Sequence, residues 1–123
     1  MLFDGAPALQ AEVARRPDQR ARGLMQRRSL AAEAGMIFLY PREVRGGFWM
    51  LGTLVPLSIA YVNDGVVVST AEMVPCRTEH CPSYRPDGPY TAAVEAPSGF
   101  FPRHGVRRGT TMRIVGPTPV PDP

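Results

Sequence analysis

Cys76 and Cys81 stand in the segment PCRTEHCP, beside Arg77, Glu79 and His80. A thiol next to a histidine or an arginine can be reactive, because nearby positive charge favours the thiolate. The C-x4-C spacing is not the C-x-x-C of thioredoxin-type redox sites or of zinc knuckles. A structural zinc site takes four Cys or His ligands. The chain holds two of each, Cys76, Cys81, His80 and His104, and the adjacency of His80 and Cys81 makes joint ligation awkward. The expectation is a disulfide or a pair of buried thiols, with no metal and no cofactor. A reactive cysteine stays open as the alternative. A disulfide closing so short a loop would contribute little through chain entropy alone.

Two further groups could bind rather than react. Arg20 and Arg27 flank Gly23-Leu24-Met25. On a continuous helix their spacing would put them on one face, and Gly23 weakens that helix. With a lone acid such as Glu95 they would make either a structural ion pair, the favoured reading, or a carboxylate clamp. The run FWMLGTLVP, residues 48–56, puts Phe48, Trp49 and Met50 before the break at Gly52-Thr53. It reads first as a core aromatic cluster at a strand kink, and second as a pocket wall with an aromatic platform for a sugar or planar ligand. The candidate ligand-binding set is Arg20, Arg27, Trp49, Thr53 and Glu95, with arginine holding an anionic or polyol group, Glu95 orienting it and Trp49 stacking.

Charge narrows the chemistry further. All 14 basic residues are arginine, which removes Schiff-base and P-loop lysine chemistry. The net charge is +3. Six arginines fall between Arg15 and Arg28. That stretch reads as a solvated helix face, with an RNA or acidic partner as the alternative. Nucleic acid is therefore not the expected partner. Gly-rich phosphate loops, H-E-x-x-H, G-x-S-x-G and EF-hand patterns do not occur.

These residues must be positioned by short elements. LQAEVA, residues 9–14, alternates like a strand. Pro17 and Asp18 suit the first turn of a short helix that Gly23 interrupts, with Leu24, Met25 and Leu30 facing inward. GMIFLYP reads as a buried strand and REVRGG as a turn. VPLSIAYVN and VVVSTAEMV flank Asn63-Asp64-Gly65, a strong hairpin signal. Residues 75–89 form a proline-rich loop. YTAAVEAP is an alternating strand, with Thr91, Ala93 and Glu95 on one side. SGFFPRHG fits one helical turn capped by Ser98 and stopped by Gly105. TTMRIV closes the domain. The expected fold is mostly β, sandwich- or barrel-like and antiparallel, with one or two short helices and no βαβ alternation.

With 123 residues the chain has room for one domain. Its 14 prolines and 12 glycines demand many turns and argue against a helical bundle. Residues 1–8 read as an N-terminal extension, 9–116 as a single β-rich domain, and 117–123 as a Pro-rich disordered tail. The sequence has no apolar run of membrane-spanning length and no recognisable leader, so the expectation is a cytoplasmic protein, a monomer or weak dimer that avoids membranes.

RARGLMQRRSL, GMIFLYP, FWMLGTLVPLSIAYVNDGVVV, CPSY and YTAAVEAPSGFFPRHGVRRGT, in that order, resemble the small bacterial and archaeal proteins called uncharacterised ACR, domain of unknown function 192. The resemblance spans roughly residues 9–115. It implies a compact, mostly β single domain and no particular activity. Its pattern falls on Arg20, Gly23, Leu24, Met25, Arg27 and Leu30, then on Gly35, Met36 and Phe38. It continues on Trp49, Met50, Thr53, Pro56 and Leu57, and ends on Glu95 and Gly99. The family usually reads W-M-K-N-T, with an acidic residue shortly after Pro-Leu; here Leu51, Gly52 and Ser58 occupy those places. The expectation is a non-catalytic domain that binds an unknown small molecule near Trp49. The alternatives are a hydrolytic or thiol-redox enzyme using the Cys76–Cys81 loop, or an RNA or acidic-partner binder.

Overall fold

The computed structural model describes residues 2–116. Along them run β1 (Leu2–Phe3), β2 (Gln10–Ala14), α1 (Pro17–Arg22), β3 (Ala34–Val44) and β4 (Leu57–Asn63). β5 (Val66–Met73), β6 (Tyr90–Pro97), α2 (Phe100–Arg103) and β7 (Met112–Arg113) follow. The main sheet has five strands in the order β2-β3-β6-β4-β5, and β1 pairs with β7 in a second, two-stranded sheet. The protein is mostly β, and its sheet is dominated by antiparallel pairs.

The central strands explain their own sequences. β4 is buried from Leu57 to Val62, and β6 from Ala92 to Ala96. Both faces of the sheet are covered, so these strands need apolar residues at successive positions rather than in strict alternation. One face carries a core of Ile37, Ala60, Val62, Val94, Phe100, Phe101 and Phe3. The opposite face carries Leu24, Met36, Phe38, Met50, Ile59, Tyr61, Tyr90 and Ala93. Asn63-Asp64-Gly65 makes the expected hairpin, with Asp64 (φ 51°) and Gly65 (φ 73°) both at positive φ as a type I′ turn requires.

Four local expectations are corrected. β2 and β3 pair in parallel, Gln10 opposite Ala34 through Ala14 opposite Phe38, so β2-α1-β3 is a βαβ-type crossover. Two parallel neighbours cannot be joined by a tight turn, and α1 lies in the long connection that returns the chain to the same end. Arg42–Val44, read as a turn, belong to β3, whose pairing with β6 shifts register between Leu39 and Val44. That irregularity accommodates Pro41 within a strand. The N-cap of α2 is Gly99 rather than Ser98, and its C-cap is His104 rather than Gly105. The closing strand shrinks to Met112–Arg113. Within the stretch read as an N-terminal extension, Leu2–Phe3 form β1, and Phe3 is buried. The Pro-rich tail 117–123 lies outside the described residues.

No helix among the described residues is long and apolar enough to cross a membrane.

Candidate functional site

Glu95 sits on β6, between β3 and β4, opposite Met36 on one side and Ile59 on the other. It shares its face with Ala93 and therefore projects into the core that contains Phe38 and Tyr61. It is only 4% exposed. No described residue donates a hydrogen bond to its carboxyl, and no arginine reaches it as an ion pair. Burial alone pushes its pKa up to about 8, because the charged form loses its water and gains no partner. At neutral pH this side chain is mostly a neutral acid, with one proton to donate.

Glu95 lies at the floor of a cleft of about 180 Å³. Gly23, Leu24 and Met25, just past α1, form one wall, and Phe48, Trp49 and Thr53 form another. Phe38 and Tyr40 reach in from β3, and Arg20 and Arg22 stand on the α1 side.

Arg20 is held firmly. Its Nη1 donates to the Leu39 carbonyl at 3.1 Å and also to the Arg15 carbonyl. Its guanidinium lies over the Tyr40 ring, 4.9 Å from the centroid. Tyr40 is raised in pKa, chiefly by burial; the charge of Arg20 pulls it down and the nearby Glu95 pushes it up. The Tyr40 hydroxyl therefore lies within electrostatic range of both. α1 can end beside this site because it is only six residues long and stops at Gly23. Its first turn is fastened by Gln19, whose Oε1 accepts the N–H groups of Arg15 and Arg16 at 3.0 and 3.1 Å.

The aromatic wall splits into two roles. Phe48 packs edge-on against Phe38, centroids 4.9 Å apart, and Met50 is buried. Trp49 between them is 55% exposed and stands at the cleft. The core reading of this run holds for Phe48 and Met50, while Trp49 lines the cleft. Phe48 is held by a bridge to the 75–89 loop: its N–H donates to the Tyr84 carbonyl at 3.0 Å, and Tyr84 N–H donates back at 2.7 Å. The Tyr61 hydroxyl donates to that same Tyr84 carbonyl. Thr53, buried, closes a turn by donating its N–H to Met50 O at 3.0 Å, with Gly52 at φ 77°. Positive φ at the third position of such a turn suits Gly or Asn. Gly52 in place of the family's asparagine thus preserves the backbone. Leu51, in place of the family's lysine, is exposed and bridges to Cys76, outside the cleft lining.

Among the sequence candidates, Arg20, Trp49, Thr53 and Glu95 come together in one cleft. Arg27 does not. The helix ends at Arg22, so Arg20 and Arg27 share no helical face, and Arg27 pairs with Glu12 on β2, its Nη2 donating to Oε1 at 2.8 Å. That hydrogen bond holds the Glu12 carboxyl below its ordinary range. Neither arginine is the ion-pair partner of Glu95. Within the Arg15–Arg28 stretch, Arg16 is tied to Asp18 and Arg20 to backbone carbonyls. Cys76 and Cys81 form a disulfide, and no free cysteine is present among the described residues. His80 is exposed, and no group of metal-ligating side chains is found among the described residues.

Two features of the site had little sequence signal. Tyr40 read as the end of an apolar run, and Tyr84 as an ordinary loop residue. A third lies on the far side of the sheet. Ser58, where the family pattern has an acid, donates to Glu72 of the neighbouring strand, and Gly99 N–H donates to the other Glu72 oxygen at 2.6 Å. The acid that receives the backbone at the start of α2 is therefore Glu72 on β5, and register pairs it directly with Ser58 on β4.

Comparison with known proteins bears on the whole chain. The sequence profile of the family described as Uncharacterized ACR, domain of unknown function 192, matches residues 2–114, and the chain belongs to that family. A protein of unknown function from Novosphingobium aromaticivorans DSM 12444 is 34% identical, with 84% of this chain and 73% of that one covered and a TM-score of 0.77. A protein proposed as a transcription regulator, from Sinorhizobium meliloti 1021, is 30% identical, with 84% and 79% covered and a TM-score of 0.74. No curated protein matches.

Proposed function

We propose that this member of the Uncharacterized ACR family is a non-catalytic binding domain for a small molecule, which it takes into the cleft between α1, the 47–53 segment and the sheet. The observation that carries this reading is Glu95: a nearly buried carboxyl at the floor of an open cleft, with no protein partner. Its carboxyl oxygens still open on the cleft, because no side-chain polar atom among the described residues is wholly buried without a partner. A ligand in the cleft can therefore supply the hydrogen bond that the protein does not. The cleft is smaller than most drug-sized pockets, so the ligand is small. Trp49 at the rim supplies stacking area, and buried Thr53 lies beside it.

Trp49 is the chain's only tryptophan, so its fluorescence reports on this site alone. Sugars, nucleotides, carboxylates and amines are titrated against the protein, with thermal shift as a second readout. At least one class should both change the Trp49 emission and raise Tm. Trp49→Ala, followed by calorimetry, should weaken that compound by about fivefold or more, the loss expected for one aromatic contact of about 1 kcal/mol. If no class binds, or if a compound binds Trp49→Ala and Glu95→Ala proteins unchanged, the reading fails.

A further inference from the structure

The charge of the cleft indicates what kind of small molecule fits. Three lining residues carry ionisable groups of ordinary charge chemistry: Arg20, Arg22 and Glu95. Glu95 holds its proton up to about pH 8, because burial disfavours its charged form. The cleft at neutral pH therefore presents two guanidinium groups and no carboxylate. The other titratable groups packed around Glu95 are Tyr40 from β3, Tyr61 from β4 and Tyr90 from β6. All three are raised in pKa by burial, so they stay neutral as well.

Arg20 has the form of a pre-set anion receptor. Its Nη1 is occupied by two carbonyls and its plane is fixed over Tyr40. No acidic residue pairs with it, and its Nε and Nη2 have no acceptor among the described residues. A guanidinium held in place loses little further entropy on binding and offers paired donors that match a carboxylate. On the opposing wall the side chains of Phe38 and Phe48 are apolar, and the polar side-chain groups are the Trp49 indole N–H and the Thr53 hydroxyl.

We propose that the ligand is a small organic carboxylate, its anionic end received by the free edge of Arg20 in the cleft that Glu95 floors, and its apolar body set against Phe48 and Trp49. This assignment rests on the small-ligand reading above. It makes Glu95 a donor to the ligand, and binding requires its proton.

The test uses calorimetry from pH 6.5 to 9.5 with phenylacetate and benzoate, their amides phenylacetamide and benzamide, phenethylamine and glucose. The acids should bind at least tenfold more tightly than their amides. Their affinity should be flat below about pH 8 and fall about tenfold per pH unit above it, as Glu95 ionises and repels the ligand. Glu95→Gln keeps a donor but cannot ionise, so it should bind the acids with no such fall. Arg20→Gln should erase the preference for acid over amide. Arg20→Lys, which keeps the charge, should retain part of it, and far-UV circular dichroism checks that both variants are folded. Equal binding of acid and amide, affinity that rises with pH, or a fall that persists in Glu95→Gln would overturn the proposal. If phenethylamine or glucose binds and the acids do not, the carboxylate assignment fails and the small-ligand reading stands. If neither these compounds nor the wider panel binds, both fail.

Discussion

A single residue, Glu95, sets much of the pH behaviour of the domain. Its pKa in the folded protein is about 8, against 4.5 for the exposed group. The folded state therefore holds a proton that the unfolded state releases between these two values. Stability is highest at and below about pH 4.5 as far as this group is concerned, falls as pH rises through the window, and levels off above about 8. The penalty at the alkaline end is at most about 5 kcal/mol, from the width of the shift at 1.36 kcal/mol per unit. Urea titrations at pH 5.5, 7 and 8.5 should show the midpoint decreasing in that order. Glu95→Gln should flatten the decrease, and a wild-type midpoint that rises from pH 5.5 to 8.5 would contradict the assignment. The residue-level reading of the sequence was strongest where side-chain type carried the information. Of the proposed set Arg20, Arg27, Trp49, Thr53 and Glu95, all but Arg27 line one cleft, and Cys76 with Cys81 was legible as a disulfide or thiol pair. The place of Arg27 was not legible, because its partner Glu12 lies on another strand and nothing local announces that pairing.

At the level of elements, the site depends on how closely β3 and β6 approach. Gly35 precedes Met36, the residue opposite Glu95, and a Cβ at position 35 would land within contact distance of the Glu95 carbonyl oxygen. That atom is backbone in the central strand and cannot turn aside. Gly35→Ala should therefore force the two strands apart and cost about 1–3 kcal/mol, read as a lowered urea midpoint with unchanged m. Gly46→Ala is the control: a Cβ there meets nothing within 4 Å, and the change should lie within about 0.5 kcal/mol of wild type. If both cost the same, the close approach is not what position 35 demands. The strands themselves were legible wherever periodicity and turn chemistry agreed, as in the 63–65 hairpin and in YTAAVEAP. The parallel pairing of β2 with β3 was not, because parallel partners carry no turn signal between them. The N-cap at Gly99 was missed for a related reason. Ser98 is the residue type that caps helices, but the start of α2 is served instead by Glu72 and Ser58 on other strands.

Across the whole molecule, the sheet separates two cores with different duties. The cleft lies with Glu95, Phe38 and Phe48 on one face, while Phe3, Phe100, Phe101 and Met112 fill the other. That second core also joins the ends of the described chain, since Leu2–Phe3 pair with Met112–Arg113. Phe3 is 2% exposed and packs edge-on against Phe101, with centroids 5.1 Å apart. Phe3→Ala removes a buried ring far from the cleft and should cost about 3 kcal/mol. For a two-state domain of this size the loss amounts to a fall in Tm of roughly 10–15 °C. The same variant, below its lowered Tm, should bind any cleft ligand with wild-type affinity and the same fall above pH 8, because nothing on the Glu95 face has changed. A Phe3→Ala protein with unaltered Tm would mean that β1 frays independently of the sheet. One with lowered Tm and a displaced pH profile would mean that the two faces are coupled through β6, whose alternate residues Val94 and Glu95 belong one to each.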